Sequence, residues 1–108
     1  MTIAEIKKDP ILLSHISEDL DDFADDTEVI FEVYAFSYDP EWNLLDASLC
    51  LANSPDPYET LEQAKKLTLK DTQIDVPGTY VILEVESVAK DPEGGYVNLG
   101  TIYDRNFF

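Results

Sequence analysis

Apolar residues recur along this chain at two spacings, and the switch between them divides it into elements. Leu13, Ile16, Leu20 and Phe23, with Leu12 beside them, lie at helical spacing and form one stripe. Asp9 and Pro10 precede them as an N-cap and a first helical residue. The spacing predicts a helix from Pro10 to about Ala24, with Glu18, Asp22, Asp25 and Asp26 on its opposite side. A shorter helix over about residues 3–8 is opened by Thr2-Ile3-Ala4-Glu5, which fits a capping box.

From Thr27 the period changes to two. Val29, Phe31, Val33 and Ala35 fall on one face of a strand reaching Tyr38. Ile30, Tyr34, Phe36 and Tyr38 fall on the other, with Glu32 among them. Apolar residues on both sides predict a central strand, either covered on both faces or using one face for association. Tyr38-Asp39-Pro40-Glu41-Trp42-Asn43 is a turn, and a second strand over about Leu44–Ala52 completes a hairpin. Leu45, Ala47, Leu49 and Leu51 mark its expected buried face.

Asp56-Pro57-Tyr58-Glu59, an Asp-x-x-Glu capping box, opens another helix, running to about Thr68 and packing through Tyr58, Leu61, Ala64 or Lys65, and Leu67 or Thr68. Residues 71–78 read as a loop. Thr79–Ala89 alternates cleanly, with Val81, Leu83 and Val85 inward and Glu84 and Glu86 outward. Lys90–Gly95 is a hairpin connection to a last strand, Tyr96–Tyr103, in which Gly100 marks a bulge or a close approach. The order is α-α-β-β-α-β-β. It predicts one α+β domain over residues 1–108, with a four-stranded, mostly antiparallel sheet and helices packed on it.

Composition supports a folded chain: 44% of the 108 residues are apolar, with one Trp, six Tyr and five Phe. Charge changes the picture. The formal net charge is −16, extreme for this length and costly to a compact state. Seven of the eleven residues from Glu18 to Glu28 are carboxylates: Glu18, Asp19, Asp21, Asp22, Asp25, Asp26 and Glu28. No Lys or Arg occurs between Lys8 and Lys65, whereas fifteen Asp and Glu do. Carboxylates at the C-terminal end of a helix also oppose its dipole.

The residues offer little chemistry. His15 has no carboxylate placed by spacing to orient it, and Cys50, in an apolar run, reads as a buried small hydrophobe. A single Cys excludes an internal disulfide. Asp19-x-Asp21 and Asp22-x-x-Asp25-Asp26 lack the spacing and central Gly of an EF-hand, so no metal or other cofactor is expected. There is no phosphate loop, and seven scattered basic residues oppose direct nucleic-acid binding. The aromatics of the first hairpin and the Phe107-Phe108 end read as core or as interface. Met1–Glu5 has no basic n-region before an apolar h-region, and no apolar run reaches membrane-span length. The expectation is a cytoplasmic protein that avoids membranes.

A function by binding is therefore expected, without catalysis. Glu18, Asp19, Asp21, Asp22, Asp25, Asp26, Glu28, Glu32, Asp39 and Glu41 are the candidate contact residues. Their partner would be a basic protein, with nucleic-acid-binding proteins foremost, because rows of carboxylates imitate the field of duplex phosphate. Inhibitors that imitate DNA, such as phage anti-restriction and anti-CRISPR proteins, share such acidity; the analogy is of charge, with no motif in common. The alternative is a small accessory protein, homodimeric through a sheet face, whose acidity serves solubility.

Overall fold

The computed structural model describes residues 1–75 and 80–107. Its framework is an antiparallel pair, β1 (Val29–Tyr38) and β4 (Tyr80–Lys90), in continuous register from Val29 opposite Ala89 to Tyr38 opposite Tyr80. β2 (Leu44–Ala47) and β3 (Ala52–Ser54) both pair antiparallel with the outer side of β1. β5 (Tyr96–Asn106) pairs antiparallel with β4 and forms the other edge. The sheet thus has five strands among the described residues, and the α+β class and both hairpins are as expected.

The fifth strand comes from a break in the second. Ser48 donates its amide to the Ala35 carbonyl, and its hydroxyl accepts from the Ala35 amide. This side-chain bond replaces part of the ladder and lets Leu49 and Cys50 leave it before the Leu51 amide rejoins β1 at the Val33 carbonyl. Consequently the expected buried face of this strand does not form: β2 is exposed throughout, Leu49 is 88% exposed, and Cys50 is exposed.

One sheet face is buried. Val29, Phe31, Val33 and Ala35 of β1 and Val81, Leu83, Val85 and Ala89 of β4 line it, with Leu99 and Ile102 of β5. α1 (Ile3–Lys7) adds Ile3 and Ile6, and α2 (Pro10–Leu13) adds Leu12. α3 (Pro57–Lys66) buries Pro57, Thr60 and Ala64, a stripe three and four residues apart. Tyr58, expected in that stripe, points outward and donates its hydroxyl to Asp9. The caps at Thr2, Asp9 and Asp56 form as read. Glu59, however, accepts from the Ser54 hydroxyl, whose oxygen takes the Asp56 amide. Ser54 thus stands between the two halves of the expected box.

The long N-terminal helix does not form. α2 stops after four residues, where the Ser14 hydroxyl turns back to the Ile11 carbonyl. The chain then crosses β5: the Ser17 amide donates to the Leu99 carbonyl at 3.0 Å. Gly100 permits this crossing, since a Cβ there would lie 2.5 Å from the His15 carbonyl oxygen and its φ is +149°. A continuous helix would also have stacked Glu18 on Asp22 and Asp22 on Asp26, repulsive pairs at i, i+4.

β5 runs three residues beyond the expected end. Its Arg105 donates to the carbonyls of Lys65 and Leu67, satisfying the C-terminus of α3, and lies over the Phe107 ring. Residues 69–72 form a 3-10 turn capped by Thr68 and Asp71, which takes in the first two residues of the expected 71–78 loop. Val76, Pro77 and Gly78 of that loop, Thr79 at the strand start and Phe108 of the tail lie outside the described residues.

Two substitutions test these attachments by urea denaturation. Gly100→Ala should destabilise by more than about 1 kcal/mol, because a Cβ meets backbone at a positive φ. Arg105→Ala should lose about 1.5–3 kcal/mol, the range for hydrogen bonds that involve a charged group.

Candidate functional surfaces

The ten acidic residues singled out by sequence are divided among three places. Glu18, Asp19, Asp21, Asp22, Asp25, Asp26 and Glu28 share one exposed segment leading into β1. Glu32 lies in the middle of β1, on the face opposite the core. Asp39 and Glu41 lie in the turn after β1. A ten-residue strand spans roughly 30 Å, so this turn and the Glu18–Glu28 segment are at opposite ends of the sheet.

The Glu18–Glu28 segment is irregular but well anchored. Asp19 accepts the Asp21 amide and caps a 3-10 turn over Leu20–Asp22, whose Leu20 enters the core. Further on, the carbonyls of Asp25 and Thr27 accept the Ala4 and Ile3 amides at the start of α1. The Val29 amide then donates to the Met1 carbonyl. Backbone bonds thus fix the segment while its carboxylates stay in water. Lys7 reaches Asp21 at 3.0 Å and Asp25 at 3.3 Å, and the Met1 amine lies 3.7 Å from Glu28. Glu18, Asp19, Asp22 and Asp26 take part in no ion pair among the described residues.

Asp39 serves its own turn. It accepts from the amides of Glu41 and Asn43 and from the Asn43 side chain, which holds its carboxyl below the usual range. These bonds fix the turn that presents Trp42, at φ 66°, against Tyr80.

A second acidic grouping emerges only from the strand register. On the uncovered sheet face, Glu32 of β1 stands opposite Glu86 of β4, and Glu84 of β4 stands opposite Asp104 of β5. The outward position of Glu84 and Glu86 was readable from alternation; their alignment with Glu32 and Asp104 was not. These residues form a band across the sheet. Phe36 and Ile82 lie one row away on one side, beyond Tyr34, with Tyr38, Trp42 and Tyr80 farther on. Ile30 and Val88 lie on the other side, with Tyr96 beyond them.

The band is electrostatically uncomfortable. Burial raises the carboxyls of Glu84 and Glu86 above the ordinary value of 4.5, and neighbouring carboxylates add to it: Asp104 for Glu84, and Glu84 and Glu32 for Glu86. Tyr34 donates to Glu32 at 3.1 Å, and burial, with this bond, pushes its hydroxyl up to about 12. Tyr34 therefore remains a donor. A depression of about 520 Å³ opens beside the band, lined by Ile30, Glu32, Tyr34, Asn53, Val88 and Tyr96. No cluster of three or more metal-ligating side chains is present among the described residues, and no helix among them is long and apolar enough to cross a membrane.

The raised carboxyls fix a sign. The native state holds protons that the unfolded chain has released, so these groups cost stability as pH rises through the window above 4.5. Glu84→Gln and Glu86→Gln should each stabilise the protein at pH 7 by about 0.5 kcal/mol, the scale of a like-charged cross-strand pair. In urea titrations the gain should shrink as pH is lowered through the window above 4.5 and vanish below it, where wild-type carboxyls are protonated in both states.

No protein-family model matches the chain, and no curated protein or solved structure matches it at a significant level.

Proposed function

We propose that this is a non-enzymatic acidic binding protein that docks on a basic protein and inhibits or sequesters it. Nucleic-acid-binding proteins are the class that fits this reading best. The observation that carries it is the exposed Glu18–Glu28 segment, whose seven carboxylates are held on a backbone fastened to α1, β1 and β5. Fixed anions of one sign steer a basic partner at long range. On contact they accept charge-assisted hydrogen bonds from Arg and Lys. A groove shaped for duplex phosphate meets the same kind of field here, with similar release of counterions.

The test is affinity capture from lysate at low and high salt, with duplex DNA as competitor. Wild type is compared with a Glu18→Gln, Asp22→Asn, Asp26→Asn variant. Those positions avoid the Asp19 cap and the Lys7 pairs, so the fold is kept. A basic protein should be held at low salt, released at high salt and displaced by DNA. The variant should bind it about tenfold more weakly, a loss of about 1.4 kcal/mol. Equal recovery by both proteins, or no salt dependence, would reduce the acidity to a solvating role.

A further inference from the structure

The geometry points to the uncovered sheet face as a separate docking surface for a protein segment that carries paired arginines between apolar side chains. It is distinct from the Glu18–Glu28 segment and does not require that segment to bind anything. The helices pack against the other face of the sheet, and no described element covers this one.

Charge complementarity selects the occupant. Four carboxylates, Glu32, Glu84, Glu86 and Asp104, cross the face in two adjacent rows. Lys90, at the end of β4, is the cation of this face among the described residues. A second copy of this chain, packed face to face, would set one such band against another in a water-poor contact, so self-association is disfavoured. The apolar rows exclude a purely ionic partner as well. Ile30 and Val88 bound the band on one side, and Phe36 and Ile82 on the other, while Trp42 is 58% exposed at the far end.

The spacing fits arginine on an extended segment. Rows on one strand face are about 6.6 Å apart, two residues at 3.3 Å. An extended partner with arginines at i and i+2, and apolar residues at i−2 and i+4, repeats that interval. Each guanidinium meets a carboxylate pair, and the Tyr34 ring beside the band offers a stacking face that ammonium uses less well. The carboxylates, crowded by their own kind, gain from a cation what the fold does not give them.

Trp42 is the protein's one tryptophan, and its position on this face makes it a reporter. The probe is a synthetic peptide in which two arginines, two positions apart, are flanked by leucines at the same spacing. Two controls replace the arginines by citrulline or the leucines by serine. Binding is followed by Trp42 fluorescence and by amide shifts in the 15N-labelled protein. The Arg–Leu peptide should shift amides of β1 and β4 around Glu32 and Glu86, and bind about tenfold tighter than either control. Glu84→Gln with Glu86→Gln should weaken it by a similar factor, whereas Asp22→Asn with Asp26→Asn should leave it unchanged. Shifts confined to residues 18–28, equal binding of the serine peptide, or indifference to the Gln changes would overturn the inference. So would a lack of saturable binding at millimolar peptide, or a homodimer in sedimentation that protects these amides. Salt-dependent capture through Glu18–Glu28 can succeed or fail independently of each of these results.

Discussion

The continuous antiparallel pairing of β1 with β4 is the constraint on which the rest of the structure depends. Ten residue pairs hold it in one register, and alternation then assigns every side chain to a face. On one face Val29, Phe31, Val33 and Ala35 meet Val81, Leu83, Val85 and Ala89, and all of these are buried. A slip of β4 by one residue would bring Glu84 and Glu86 into that core and push Leu83 and Val85 into water. The cost of burying unpaired carboxylates, several kcal/mol each, rules out such a slip.

Apart from β5, the remaining elements are short and are held in place by particular bonds. Helices of four, five and ten residues are too short to persist alone and depend on caps and packing. Thr2, Asp9 and Asp56 close their first turns, and Arg105 reaches from β5 to close the last turn of α3. The N-terminal segment is tied where β5 leaves room, at Gly100. The absence of a side chain there decides where the chain crosses.

The parts of the fold set by local rules were legible in the sequence. Period-two alternation located β1 and β4, the hairpin residues before Tyr96 located β5, and Asp-Pro pairs located the starts of α2 and α3. What failed did so where a distant contact outweighed a local pattern. Leu13, Ile16, Leu20 and Phe23 do keep helical spacing, yet Leu20 reaches the core from a 3-10 turn. The bonds from residue 17 to Leu99 span more than eighty positions, and no local pattern announces them. Similarly, Leu45 and Leu49 alternate as a buried strand would, but no element among the described residues covers that edge, and both remain exposed. For the candidate surfaces the limit was register. The Glu18–Glu28 segment could be read as a string, whereas the Glu32–Glu86 and Glu84–Asp104 pairings exist only once strands from three parts of the chain are aligned.

The two acidic surfaces differ in what they cost the fold. In the Glu18–Glu28 segment the carboxylates are exposed to water, and two of them are relieved by Lys7, so their repulsion is screened at ordinary salt. On the sheet face, burial raises Glu84 and Glu86 and like charges stand directly opposite, an arrangement that weakens the pairing on which everything rests. Glutamine would have the same shape without that charge, and threonine or valine would suit a strand better. A strand that forgoes these at two adjacent outward positions, between apolar rows needing cover, is locally inconsistent with stability. Such inconsistencies concentrate where a partner completes the environment. Arginine answers both defects at once: it supplies the missing charge, and its planar group and aliphatic stem pack over aromatic and apolar neighbours.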